Sequence, residues 1–189
     1  MKPIETNKLL NFADFRDHSD VYIETGTCYG GSVRKAIESG YRLIKSVEVY
    51  KPFYDKCVEL FKNNVHVELF FGKSDEKMPE MLENISGPAV IFLDAHPAGP
   101  NTGGHDDLME KGAASEYHQD TVLKRELAAI LKHDPTHIII IDDQNGNNPE
   151  NEAYIKMILE VNPNYQFYFY DEQAGEIFYK NKSLVCIPK

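Results

Sequence analysis

The chain has no tryptophan and only three cysteines, Cys28, Cys57 and Cys186, widely spaced and without a Cys-x-x-Cys pair. That scarcity excludes a disulfide scaffold and a zinc ribbon, and each thiol is expected to be a small buried or half-buried side chain. Long apolar runs are missing too. No segment of the 189 residues approaches the roughly 20 apolar residues of a membrane-spanning helix, so no membrane partner is expected. The opening MKPIETNKLLNFADF has no uninterrupted apolar stretch and no small-residue cleavage site, which argues against a secretory signal and for a cytoplasmic protein. Positive charge is in deficit: 20 Lys plus Arg stand against 30 Asp plus Glu, a formal charge of -10. Such a surface repels phosphate backbones, and nucleic acid is not expected as a partner.

What is present suits one soluble globular domain over residues 1–189, with no internal repeat and no linker-like boundary. Apolar runs recur as VYIET (21–25), IKSVEV (44–49), VHVELFFG (65–72), AVIFLDAH (89–96) and HIIIIDD (137–143). Four of the five are continuous rather than alternating, the pattern of strands buried on both faces of a mainly parallel sheet. Between and after them lie helical patterns: GSVRKAIESG, KPFYDKCVELFKNN, DEKMPEMLENI, TVLKRELAAILKH and PENEAYIKMILEVN. The C-terminal YQFYFYDEQAGEIFYKNKSLVCIP instead reads as strands joined by a glycine-containing turn, an antiparallel hairpin closing one side. The whole predicts a doubly wound α/β sandwich whose ligands sit at the carboxyl ends of the strands.

The first strand runs into Glu24-Thr-Gly-Thr-Cys-Tyr-Gly-Gly-Ser32. Gly26 and Gly31 match the outer glycines of a dinucleotide fingerprint, but Cys28 stands at its middle position, which disfavours NAD. A phosphate loop would need a lysine after Gly31, where Ser32 stands, which disfavours ATP. Glu48, 22 positions beyond Gly26, ends the second strand where an acid accepts hydrogen bonds from ribose hydroxyls. Ser74 and Asp75 follow the third strand and suit the edge of an adenine ring. Each feature alone also reads as a tight turn or a solvated charge; three consecutive strand ends make the ligand reading.

Asp94 ends the fourth strand, with His96 two positions on, and Asp142 and Asp143 end the fifth. Three carboxylates at one edge need a cation or shared protons, and a hard divalent ion, Mg2+ or another, is the natural partner. The alternative is that one acid faces solvent or caps a helix.

Taken together, these residues resemble class I S-adenosylmethionine-dependent methyltransferases, and within them the metal-dependent O-methyltransferases. The Glu-Thr-Gly-Thr-x-x-Gly-Gly-Ser start, LDAH and IIDD are most similar to the sugar O-methyltransferase branch that includes macrolide-sugar and aminocoumarin-sugar enzymes. The resemblance implies a Rossmann-like methyltransferase sandwich with a mostly parallel seven-stranded sheet and a C-terminal antiparallel hairpin. It also implies S-adenosylmethionine as cofactor, held by Glu24, Thr25, Gly26, Thr27, Gly30, Gly31, Ser32, Glu48, Val49, Ser74, Asp75 and Asp94. Asp94, Asp142 and Asp143 would ligate the metal, and His96 with Asp94 would be catalytic, His96 as the base. The acceptor would be a sugar hydroxyl of a glycan or glycosylated metabolite, whose pKa the metal lowers before proton removal. Residues 97–120, Gly-rich and irregular, would form an acceptor-side lid carrying His105, Asp106 and Asp107. Glu126 would support the acids at the metal edge or sit as a helix-surface charge. A short N-terminal helix and a homo-oligomer contact would complete the acceptor pocket. Other readings are a catechol-like or other small-molecule acceptor, a non-catalytic cofactor-binding module, and a metal-dependent hydrolase.

Overall fold

The computed structural model describes residues 1–95, 119–144, 149–171 and 182–189. In chain order its elements are β1 (Ile4–Leu9), a 3-10 turn (Phe12–Phe15), β2 (Val21–Thr25), α1 (Gly31–Glu38), β3 (Leu43–Glu48), α2 (Lys51–Phe61) and β4 (Val67–Phe71). There follow α3 (Ser74–Leu82), β5 (Val90–Leu93), α4 (Gln119–His133), β6 (Ile138–Ile141), α5 (Glu150–Val161), β7 (Gln166–Asp171) and β8 (Lys182–Ile187). The strands form one sheet in the order β1-β7-β8-β6-β5-β2-β3-β4. From β4 to β6 every pairing is parallel; β8 then runs antiparallel between β6 and β7. This is the expected α/β sandwich with its C-terminal hairpin.

Alternation along the central strands divides the core in two. Ile23, Ile91, Leu93, Ile139 and Ile141 turn to the face covered by α3, α4 and α5, where they meet Met78, Leu127, Ile130 and Ile158. Tyr22, Val90, Phe92, Ile138 and Ile140 turn to the other face and meet Val33 and Ala36 of α1, Phe61 of α2 and Phe12 and Phe15. Strands covered on both faces have no polar face to display, which is why IIII and VIFL read as continuous runs. Each fully buried side chain of this kind contributes about 1.5–3 kcal/mol by leaving water. Cys57 and Cys186 are buried and Cys28 is half-buried, as expected.

One strand exceeds the expected seven, and the short N-terminal helix is the 3-10 turn Phe12–Phe15, preceded by a strand. β1 pairs in parallel with β7, Ile4 opposite Tyr168 and Leu9 opposite Asp171, with a bulge between Glu5 and Leu9. Thr6 Oγ1 donates to the Phe169 carbonyl at 2.6 Å, Leu10 N donates to the Asp171 carbonyl at 2.8 Å, and Lys182 pairs with Glu5. A strand wins over a helix there because an unpaired β7 edge supplies backbone partners that an isolated nine-residue stretch lacks. Among the described residues no helix is long and apolar enough to cross a membrane.

Candidate active site

Strand order reverses between β2 and β5: from β2 the chain builds outward through β3 and β4, then returns to place β5 and β6 on the opposite side. At such a reversal the loops after the two strands diverge and leave a crevice. Gly26 sits at its floor. Its φ is +84°, and an added Cβ would lie 2.5 Å from the Asp94 carbonyl oxygen, so only glycine fits between the two strand ends. The Asp94 N–H points back to β2, shared by the Thr25 carbonyl and Oγ1 at 3.2 Å each.

The loop beyond Gly26 is tied to β3. The Gly26 and Thr27 N–H groups both reach the Val47 carbonyl, at 3.0 and 3.1 Å. Cys28, at φ +49°, donates its N–H to Glu48 Oε2 at 2.7 Å, while Glu48 Oε1 accepts the Tyr50 N–H at 2.7 Å. Glu48 is thus a buried brace under the loop, and its carboxylate keeps lone pairs for further donors. Gly30, at φ +74°, turns the chain into α1, and a Cβ there would meet the Phe61 ring at 2.7 Å. Gly31 has open space around it. Val49 is half-buried just past β3, and Ser32 lines the cavity described below.

Glu24 points inward rather than into the crevice. It is fully buried, accepting from Ser46 Oγ at 2.7 Å and Tyr22 Oη at 3.1 Å, and Ser46 Oγ lies 2.5 Å from Thr27 Oγ1. Burial pushes its carboxyl up to about 7, against the pull of the Ser32, Ser46 and Tyr22 hydroxyls. It shapes the loop from beneath. Ser46 escaped the sequence reading because a serine within LIKSVE gives no outward sign of linking two neighbouring strands.

A cavity of about 910 Å³ opens beside this loop. Its walls are Leu9, Leu10, Asn11, Phe12 and Ala13 on one side, Gly26 to Tyr29 and α1 residues Ser32, Lys35 and Glu38 on another, with Phe92, Asp94 and Asp142 at the strand ends. Asn11 holds the N-terminal wall in shape, its side chain accepting the Ala13 N–H at 3.1 Å. An Asn before FADF is a turn signal that could have located this wall in advance.

Of the expected metal set, Asp94 and Asp142 share the cavity, and Ser183 Oγ donates to Asp142 Oδ1 at 3.2 Å. Asp143, at φ +53°, is not among the cavity's walls. Among the described residues no group of three or more His, Cys, Asp and Glu side chains is placed to hold a metal ion. Among the described residues, the acids therefore do not make up a three-ligand site. His96 and the expected lid up to residue 118 lie outside the described residues.

Ser74 and Asp75 open α3. Ser74 Oγ and Asp75 Oδ1 are buried without a hydrogen-bond partner, while Asp75 Oδ2 is held by Arg125 at 3.0 Å. Unpaired buried oxygens at a helix start seek a donor-bearing group. Glu126 is not a surface charge: it is 1% exposed, with one carboxyl oxygen also unpaired, and it lies beside Thr25, whose Oγ1 accepts the Asp94 N–H.

No protein-family model matches the chain, and no curated protein matches it either. Solved structures do match its fold. The methyltransferase domain of bacterial CtHen1-C superposes with a TM-score of 0.59 at 12% identity, covering 93% of each chain. An O-methyltransferase from Bacillus cereus in complex with SAH gives 0.56 at 16% identity, over 89% of this chain and 74% of that one. A spermidine synthase in complex with the transition state analogue AdoDATO gives 0.53 at 12% identity, over 89% of this chain and 52% of that one. At these identities the likeness is one of fold: the Rossmann-like sandwich of class I methyltransferases, which also serves a different transfer reaction.

Proposed function

We propose that residues 1–189 form a single S-adenosylmethionine-dependent O-methyltransferase domain acting on a small-molecule hydroxyl. The observation that carries this reading is the Gly26 turn pressed against the Asp94 carbonyl, braced by Glu48 and opening onto a cavity of about 910 Å³. Matching structures include one of an O-methyltransferase with SAH, the demethylated product S-adenosylhomocysteine. The residues present fit the cofactor. Gly26, Thr27 and Cys28, which line the cavity, would border its methionine end, Glu48 would accept from the ribose hydroxyls, and the start of α3 at Ser74 and Asp75 would lie along the adenine edge.

When bound, the cofactor supplies an electrophilic sulfonium methyl group. The chain's own contribution is positioning and proton removal. Leu9, Leu10 and Phe92 exclude water from the acceptor, while Asp94 and Asp142 orient its hydroxyl and take up its proton. His96 remains the proposed alternative base. Because the three acids do not converge on a metal, no step here is assigned to one.

Calorimetry with S-adenosylmethionine and S-adenosylhomocysteine, followed by methyl transfer to phenolic and sugar hydroxyls, tests the reading. Micromolar binding and transfer are expected, and absence of binding removes the proposal. Binding without transfer to any hydroxyl would favour a non-catalytic module. Turnover that disappears with a chelator and returns with magnesium would restore the metal-assisted sugar reading, for which Asp94 and Asp142 in one cavity are the supporting observation.

A further inference from the structure

Three buried oxygens without partners belong to neighbouring residues on two packed helices: Ser74 Oγ and Asp75 Oδ1 on α3, and Glu126 Oε1 on α4. The charged groups at this point are Asp75, whose side chain is 7% exposed, its partner Arg125, and Glu126 itself. If Glu126 were a carboxylate, its neighbouring donors would be the Ser74 and Thr25 hydroxyls, with Arg125 engaged by the other oxygen of Asp75. A charge on Glu126 would then be buried near that of Asp75, an arrangement that low dielectric disfavours. A proton on Glu126 removes one charge and adds a donor, leaving the Glu126 and Ser74 hydroxyls to serve the Asp75 acceptor and each other.

We propose that Glu126 is a positioning residue of the cofactor seat: as a neutral carboxylic acid it donates into the Ser74–Asp75 cluster and fixes the edge that meets the adenine. The cofactor half of this inference rests on the function proposed above; the proton does not. Burial pushes the Glu126 carboxyl up to about 8; the Ser74 hydroxyl pulls it partway down, the Asp75 charge raises it and Thr25 lowers it. A carboxyl raised in the folded state stabilises the fold below its ordinary range and loses that contribution as pH climbs through the folded value. The cluster should therefore loosen in mild alkali.

Ligand-free melts of wild type and Glu126→Gln between pH 5 and 9 test the proton. The wild type should lose stability relative to the variant as pH rises, because Gln keeps a neutral donor and does not titrate. Parallel melting curves overturn the proposal. Should the variant fail to fold, the Glu126 carboxyl carbon followed by 13C NMR in the wild type is expected to titrate near 8, and a midpoint near the ordinary value for Glu overturns it equally. Calorimetry with S-adenosylhomocysteine tests the cofactor half. Wild-type affinity should weaken about tenfold between pH 7 and 9, following the ionised fraction, while that of Glu126→Gln stays within about twofold. Equal pH dependence in both proteins overturns the positioning role. Diverging melts with no S-adenosylhomocysteine binding at any pH would mean that the proton assignment stands and the proposed function fails.

Discussion

A methyl group at position 26 would meet the Asp94 carbonyl, whereas one at position 31 would meet nothing, so the glycines of the first loop are far from equivalent. Gly26→Ala must adopt a left-handed backbone as well as displace β5, a cost of about 1–3 kcal/mol from strain alone. A lower melting temperature and S-adenosylhomocysteine affinity reduced on the order of tenfold are expected. Gly31→Ala starts a helix in open space and should stay within about 0.5 kcal/mol of wild type. Equal losses in the two variants, measured by melting and calorimetry, would mean that the Gly26–Asp94 approach is not what the loop depends on. The motif itself was legible in the sequence as a glycine cluster after a strand. Its ranking was not, because the residue that makes Gly26 obligatory arrives at the end of a different strand, after two intervening strands and three crossovers.

Between helix and strand, the far end of the sheet is latched by two histidines that no motif announced. The Ala89 N–H donates to His137 Nδ1 at 2.8 Å, which leaves the His137 proton on Nε2. That proton points to His133 Nδ1 at 3.1 Å, and His133 Nε2 in turn donates to the Ile85 carbonyl at 3.1 Å. The chain of donors joins the end of α4 to the starts of β5 and β6, and it requires both rings neutral. Burial pushes His137 down to about 4 from the ordinary histidine value, with Asp134 opposing and the neighbouring histidines adding to the fall. The unfolded chain thus binds a proton that the native state refuses, and stability is lost as pH falls from about 6.5 toward 4. The limit of that loss is on the order of 3 kcal/mol. His137→Asn should melt earlier than wild type at pH 7 yet lose less on acidification; curves that fall in parallel would show that His137 does not set the acid sensitivity. Sequence inspection finds here only a helix end and a turn, since the imidazole partners are a backbone amide and a carbonyl some 50 residues away.

At the scale of the whole molecule, β1 and the 3-10 turn do what a separate lid domain does in larger folds: they wall the cavity with Leu9, Leu10 and Phe12. Of the cofactor-side residues, Gly26 shares that cavity, whereas Glu48 and Ser74 are not among its walls. Removing residues 2–10 should therefore abolish turnover on any acceptor the intact protein methylates, while S-adenosylhomocysteine affinity falls far less, because the proposed ribose and adenine contacts at Glu48 and Ser74 lie outside the cavity that Leu9 and Leu10 wall. Parallel loss of both would mean that β1 supports the sheet rather than the acceptor. The order of elements and the neighbouring of β5 with β6 were legible from apolar runs alternating with helical periodicity. The eighth strand was not, because IETNKL carries no strand pattern and takes its conformation from the open edge of β7.

Local pattern by itself determined the class of fold and the order of strands and helices along the chain. These are consequences of period and residue type, which act over a few positions. Tertiary structure decided the rest: that Glu24 faces inward to Ser46, that Glu48 braces the loop through two backbone amides, that Asp94 and Asp142 line one cavity, and that Glu126 lies buried beside Ser74 and Asp75. Each of those depends on which strands become neighbours and how closely their ends approach, and burial then sets the protonation of what they enclose.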